Sequence, residues 1–387
     1  MIIFYFVPYF PPNSKGGAEI SLELLASELV RKGHEVHIFT PNYNKPDKEI
    51  CNGYIVHFIG WGKEGVWSLN NPLSLYKTFR NVQMLKIKPT IIDSYNWPLA
   101  AWFVAKQLRK PYVLSIRDLT PLSDLRVDFF ARRYSFLEYF KSRFDNFGFS
   151  LIQIAYGLYG YTLTQITHKI LRGANGLTFA SKALMVAYKK FNENSIAINS
   201  IVVGHAKQID QKRKMQVLYI ARLSKGKGFN FLLEAVKSYI DKKKFKKLSF
   251  VFIGDGVEPK LASKYKKKIK FLGKLSHDRV LTQIGQSRAV VVPSIVFDAM
   301  PRAILESLSL GTPVVATDVG GSPEALGNGG ILIKINDRSG LESAILKLSS
   351  DDKLWMELSK NGLSHIKKFS PRIVASRVER FYEKVLL

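Results

Sequence analysis

One run of the chain leaves little freedom in how it folds. From Val292 to Glu324 it reads VPSIVFDAMPRAILESLSLGTPVVATDVGGSPE, and the apolar strand AVVVP runs into it and stops at Pro293. A short loop then carries Asp298, and Pro301 is predicted to open a helix whose apolar residues Ala303, Ile304, Leu305, Leu308 and Leu310 recur at helical spacing. Gly311 ends that helix, TPVVAT supplies a second buried strand, and Gly320–Gly321 make a turn. Strand, helix, strand in so short a span fits parallel strands packed under a crossover helix. Proline suits the first helical position, but neither Ala299 nor Met300 offers a capping side chain. The first-turn N–H groups are therefore left to a ligand, at the helix end that attracts anions and hydroxyl-rich groups. Two acids sit here, Asp298 and Glu306. The plainer alternative for the second is an ion pair with Arg302, four residues before it on the same helix face.

A chain of 387 residues that is 46% hydrophobic can bury two cores, so two domains are expected. Its net charge of +27 implies attraction to a polyanion such as nucleic acid, anionic lipid or a phosphorylated substrate. The single cysteine, Cys51, excludes a disulfide framework and fits a reducing compartment. MIIFYFVPYFPP is apolar but lacks a basic leader and is broken by prolines, so it reads as a buried first strand and not as a signal peptide. The seven histidines show no metal-ligand spacing. No Gly-x-Ser-x-Gly or Cys–His arrangement suggests hydrolysis through an acyl intermediate.

In order, residues 2–7 form a strand, FPPNSKGGAE a loop, Ser21 to Arg31 a helix stopped at Gly33, and HEVHIFT the second strand. This is the opening of a doubly wound sheet, with Gly16–Gly17 letting backbone approach a ligand at a helix start. Strands follow near 54–60 and 90–94, then a helix at 98–108 and the strand PYVLSIRD, which ends at Arg117–Asp118. The basic, aromatic segment 124–144 precedes an uncharged stretch, 146–167, too polar for a good transmembrane helix. Together they read either as an interfacial element resting on an anionic membrane or as a helical hairpin covering the sheet. A helix about 164–172, the strand GLTFAS and a helix near 182–191 lead to a polar, basic linker at 204–214. The second domain opens with VLYIARLSKGKGFNFLLEAV, in which a strand ends at Arg222 and a loop carries Lys227 and Gly228. A Gly254–Asp255–Gly256 turn, a helix at 277–286, and helices at 338–348 and 351–367 complete it, and a last helix runs from Pro371 to the C-terminus. The lysine runs 241–247 and 264–270 read as solvated faces.

These features resemble glycosyltransferase family 4, retaining enzymes of the GT-B fold. The likeness rests on Asp298 and Glu306 separated by seven positions, on Gly16-Gly17-Ala18-Glu19, on Arg222 with Lys227, and on the Gly-Asp-Gly turn. It implies two Rossmann-like doubly wound domains facing across a cleft. One spans residues 1–205 plus a C-terminal helix, 371–387, that crosses back; the other spans 212–370. It further implies that Glu306 grips the ribose of a nucleotide sugar. Asp298, with the amides near Met300 and Arg302, orients the sugar, while Arg222 and Lys227 neutralise the departing diphosphate, assisted by Gly16 and Gly17. Two departures stand out: Asp298 replaces the family's first Glu, and Arg117, before Asp118, replaces a His usually found beside the reacting sugar. An Arg there can contact a donor hydroxyl or an acceptor phosphate but cannot serve as a base.

The resemblance implies no cofactor and no catalytic metal, and the lack of Asp-x-Asp argues against the other large glycosyltransferase fold. It also implies a glycan or lipid-linked acceptor. The basic, aromatic region 126–165 would meet an anionic membrane surface, placing the protein in the cytoplasm on the inner face of the membrane, with no specific nucleic acid. Three further readings compete: a sugar-nucleotide epimerase of the same fold, a catalytically silent binding module, and a nucleic-acid binder that would explain the charge.

Overall fold

A computed structural model describes all residues except 12–15, 42–47, 60–71, 120–136, 138–139, 142–143, 145–148, 205–212, 242–247 and 257–268. The chain divides into two compact units, Met1–Ile201 with Pro371–Leu387, and Val202–Ser370.

The first unit comprises β1 (Ile2–Phe6), α1 (Gly17–Arg31), β2 (Glu35–Pro41), β3 (Lys48–Cys51), β4 (Tyr54–Ile59), α2 (Pro72–Met84), β5 (Ile91–Tyr95), α3 (Pro98–Leu108) and β6 (Tyr112–Ile116). It continues with α4 (Leu151–Arg172), β7 (Gly176–Phe179), α5 (Lys182–Tyr188) and β8 (Ser195–Ala197). The second unit comprises β9 (Lys214–Ile220), α6 (Phe229–Asp241), β10 (Ser249–Ile253), β11 (Ile269–Phe271), α7 (His277–Gln286), β12 (Ser287–Val292) and α8 (Arg302–Ser309). There follow β13 (Val314–Thr317), α9 (Ser322–Leu326), β14 (Gly330–Ile333), α10 (Arg338–Ser350) and α11 (Asp352–Ile366). The last helix, α12 (Pro371–Leu386), belongs to the first unit.

The first unit is an eight-stranded sheet in the order β3-β4-β2-β1-β5-β6-β7-β8. Every pairing is parallel except that of β3 with β4. The central strands are apolar throughout because both faces are covered: Ile3, Phe4, Tyr5 and Phe6 of β1 are all fully buried. Sequence patterning missed β3 and α2. An Asn52-Gly53 turn, both residues at positive φ, joins β3 to β4 as a two-residue hairpin. The first helix begins at Gly17, earlier than expected.

The uncharged stretch 146–167 and the helix expected at 164–172 fall mainly in one element, α4, which starts at a capping Ser150. This helix buries Gly157, Gly160, Thr167, Ile170 and Leu171 and leaves Leu151, Ile152, Tyr156 and Leu158 exposed. It is therefore not a fully buried hairpin arm. Most of the basic segment 124–144 lies outside the described residues. Among the described residues, no helix is long and apolar enough to cross a membrane.

Helix α12 is tied to the first unit by a buried polar network. Tyr382 donates its hydroxyl to Asp93 Oδ2 at 2.5 Å, Tyr5 and Tyr382 share a 2.8 Å hydroxyl contact, and Ser115 Oγ donates to the same Asp93 oxygen at 2.8 Å. Burial pushes the Asp93 carboxyl up to about 6, against the opposing pull of these donors and of Arg117. At the rim, Glu379 of α12 takes Lys32 and His34 at 2.8 Å each.

The second unit is a six-stranded parallel sheet, β11-β10-β9-β12-β13-β14. The chain winds outward from β9 through β10 to β11, then returns to lay β12 on the other side. Strand order therefore reverses between β9 and β12, and ligands of open α/β sheets bind where it does, beyond the strand C-termini.

Candidate active site

The loops leaving β9 and β12 meet at that reversal. After β9 a short turn, Lys225–Lys227, carries Lys227. Gly228 follows at φ +72, so close to the next strand's exit that a Cβ there would run into the backbone of Pro293. Only glycine permits this approach. The Gly226 carbonyl accepts N–H groups from Ile295 and Val296 at 3.0 and 3.3 Å, so the two loops are laced together. Beneath them the buried Tyr219 hydroxyl lies 3.1 Å from the Lys227 carbonyl and 3.4 Å from that of Arg222, holding both ends of the cationic loop. The sequence shows Tyr219 only as one residue of the strand that ends at Arg222, and nothing in the pattern singles out its hydroxyl.

Asp298 is held from below. The Gly321 N–H donates to the Asp298 carbonyl at 2.7 Å, and Gly320, at φ +58, lies flat against Asp298 backbone. The Gly-Gly pair is thus a turn, as expected, and it also supports the acid. On the pocket side the Asp298 carboxylate accepts Lys227 Nζ at 2.5 Å. Pro301 is the N-cap and not the first residue of α8, because its ψ of 109° is extended; no side chain caps the helix.

These elements border an open pocket of about 160 Å³, lined by Tyr219–Arg222, Lys227, Val292–Ser294, Asp298 and Pro301–Ala303. Arg222, Lys227, Asp298 and Arg302 are thereby brought together from two loops and the first residue of α8. Met300 is buried beside them. Glu306 lies one turn further along α8, only 6% exposed, and accepts Arg302 Nε at 2.5 Å. The ion pair offered as the plainer alternative is therefore formed. His277, the first residue of α7, stands 3.8 Å from the same Glu306 oxygen, a neighbour no motif signalled.

In the first unit the corresponding reversal falls between β1 and β5, and Gly16–Gly17 lie in the loop after β1. Gly16 is the N-cap of α1 and Gly17 its first residue. Glu19 folds back onto this end and accepts the Gly16 N–H, half of a capping box. Desolvation raises the Glu19 carboxyl against these backbone donors, and Asp118 adds repulsion. Asn96, at φ +65, accepts the Arg117 N–H at 2.9 Å and sits 3.5 Å from the Asp118 carboxylate. The Arg117 side chain itself turns inward. It is 8% exposed, donates to the Ile198 carbonyl at 2.8 Å and lies over the Tyr95 ring. A buried carboxylate, Asp93, makes a cation welcome there, which explains why an arginine so placed points away from solvent.

Known proteins resemble the chain in both units. The family model "Glycosyltransferase Family 4" matches residues 15–164 and "Glycosyl transferases group 1" matches residues 214–351. The chain is 24% identical to TuaC of Bacillus subtilis, assigned as a glycosyltransferase of teichuronic acid biosynthesis, over 92% of this chain and 90% of that one. Sucrose-phosphate synthase of Thermosynechococcus elongatus superposes with a TM-score of 0.74 at 19% identity, covering 99% of this chain and 98% of the other. Anabaena HepE in complex with UDP-glucose superposes at 0.68 and 15% identity, covering 99% and 100%. Two parallel α/β units of this kind are the GT-B fold. With a family model on each unit, the chain belongs to the group 1, family 4 glycosyltransferases.

Proposed function

We propose that this enzyme moves a sugar from a nucleoside-diphosphate donor to a glycan or lipid-linked acceptor, with retention of anomeric configuration. The observation that carries the reading is the meeting of Arg222, Lys227, Asp298 and Arg302 on one pocket at the strand reversal of the second unit. A nucleoside diphosphate departs with negative charge, and fixed cations stabilise that charge as it develops without reorganising. Lys227 exchanges Asp298 for the diphosphate, and Arg222 adds a second cation from the end of β9. Asp298, released, accepts sugar hydroxyls together with the first-turn amides of α8 near Met300 and Arg302. Glu306, held rigid by Arg302, accepts the ribose hydroxyls. HepE in its complex with UDP-glucose is consistent with such a donor.

The first unit serves the acceptor, through Gly16, Gly17 and Asp118; Arg117 supports the unit from within. TuaC's assignment to teichuronic acid biosynthesis favours a glycan acceptor. The apolar side of α4, from Leu151 to Tyr159, lies against an anionic membrane, drawn there by the chain's excess of cations.

A screen of nucleotide sugars by calorimetry, followed by turnover with lipid-phosphate and oligosaccharide acceptors, tests the reaction. Transfer should persist in EDTA, and NMR of the product should give the donor's own anomeric configuration. Donor conversion to an isomeric sugar nucleotide without acceptor would instead mark an epimerase, and donor binding with no turnover a silent module.

A further inference from the structure

In the first unit β5, β6, β7 and β8 lie side by side in that order and run parallel. Each is entered from a helix, so the connections from α2, α3, α4 and α5 all fall on one edge of the unit, at the strands' N-terminal ends. These connections and the helix turns before them are basic. Lys86 and Lys88 precede β5, and Lys106, Arg109 and Lys110 precede β6. Lys169 and Arg172 precede β7, and Lys189 and Lys190 precede β8. All are exposed except Lys110, which is half-buried. From the usual strand and helix spacings, the row runs for roughly 15–30 Å.

A helix C-terminus attracts cations, which accounts for Lys106, Lys169 and Arg172 in the last turns of α3 and α4. It does not account for the cations beyond the helix ends. At the end of α1 such residues are neutralised, since Arg31 pairs with Glu28 and Lys32 with Glu379. Among the described residues, no cation of the row takes part in an ion pair, and Glu193 is the one acid in these connections. Arg172 and Lys190 are both held against the buried Phe191 ring, 5.4 and 5.7 Å from its centre. Like charges fixed so close repel, and a partner bearing a line of anions relieves that repulsion. The same connections expose no large apolar side chain to enter a bilayer and no aromatic ring on which a base stacks. The complement is a chain that carries charge without acyl groups or bases, an acidic polysaccharide.

We infer that this edge of the first unit docks an acidic glycan chain, at the end of the strands opposite Gly16, Gly17 and Asp118. For the nature of the polymer the inference rests on the glycan-acceptor reading above. It is tested on the full chain by calorimetric titration with polygalacturonate at low salt. The row variant combines Lys88→Gln, Lys106→Gln, Lys169→Gln and Lys189→Gln. The control combines Lys334→Gln, Lys347→Gln, Lys353→Gln and Lys360→Gln, exposed lysines of the second unit, and has the same net charge. The row variant should bind polygalacturonate about tenfold or more weakly and the control within about threefold of wild type, while neutral dextran binds to none of them. Equal loss in both variants, or no binding by wild type, overturns the surface. A larger loss for phosphatidylglycerol vesicles or a single-stranded oligonucleotide than for polygalacturonate overturns the choice of partner. Acetylation footprinting of wild type decides the matter without substitutions: polygalacturonate should shield Lys88, Lys106, Lys169 and Lys189 more than Lys347, Lys353 and Lys360, and equal shielding refutes the site. Failure of the underlying reading has a different signature, since wild type would then transfer sugar to no glycan whatever the titration shows.

Discussion

Replacing Gly320 by Ala separates the two jobs of the Gly-Gly turn. A Cβ at 320 would lie 2.4 Å from the Asp298 carbonyl oxygen and 2.9 Å from its nitrogen, both of them backbone atoms. Restoring ordinary contact, about 3.5 Å, requires Asp298 to retreat by roughly 1 Å. The left-handed φ of +58 adds about 1–2 kcal/mol of strain for any residue with a Cβ. Overpacking contributes about 1–3 kcal/mol more. The sum, roughly 2–5 kcal/mol, corresponds to a fall of about 5–15 °C in the melting temperature of a domain this size. Activity should fall further than stability suggests, because a 1 Å displacement of a positioning group costs on the order of a hundredfold. Gly33→Ala is the control: Gly33 has a φ of +87 with nothing within 4 Å of its missing Cβ, so only the strain applies. Scanning calorimetry and kcat/KM measured well below the melting temperature give both quantities. If Gly320→Ala behaves like Gly33→Ala in both, the reasoning that Gly320 supports Asp298 is refuted.

Other expectations follow from the same geometry. Lys227→Ala should lower kcat/KM by about 10²–10³, the scale for losing one preorganised charge at a leaving group, while circular dichroism stays native. Loss of less than threefold would remove Lys227 from the chemistry. Asp93, raised to about 6, binds a proton more readily folded than unfolded, so its contribution is greatest below its unfolded value near 3.8 and is lost as pH rises through 6. Relative to Asp93→Asn, the wild type should therefore lose stability between pH 4 and 6, by about 3 kcal/mol at most, read from urea midpoints; parallel curves would contradict the assignment. Exchanging Ile152 and Leu158 for Asn should reduce sedimentation with phosphatidylglycerol vesicles without altering turnover of a soluble acceptor, and equal loss of both would point to misfolding.

The alternation of apolar runs with amphipathic helices was legible in the sequence because strands buried on both faces must be apolar at nearly every position. The signature stretch was legible for the same reason, since its strands flank a helix with one apolar side. Features built on single atoms were not. Tyr219 acts through a hydroxyl that pattern cannot weigh, and His277 reaches Glu306 only because α7 and α8 lie side by side. Arg117 resembles an edge residue until Asp93, far away in sequence, draws it inward. The Asn52-Gly53 turn is a hairpin signal, but the strand before it, Lys48–Cys51, is too short and too polar to mark itself in the sequence. The uncharged stretch before Arg172 was ambiguous for a physical reason: the N-terminal half of α4 buries its two glycines, Gly157 and Gly160, and exposes Leu151, Ile152, Tyr156 and Leu158, which inverts the pattern that marks a core-facing helix.

In the proposed reaction a donor's diphosphate takes Lys227 away from Asp298. A crystal structure with a bound nucleoside diphosphate measures this directly. Phosphate oxygens should lie within hydrogen-bond reach of Lys227 Nζ and the Arg222 guanidinium, with the Lys227–Asp298 contact lengthened from its present 2.5 Å. A nucleotide bound elsewhere, with that contact unbroken, would contradict it.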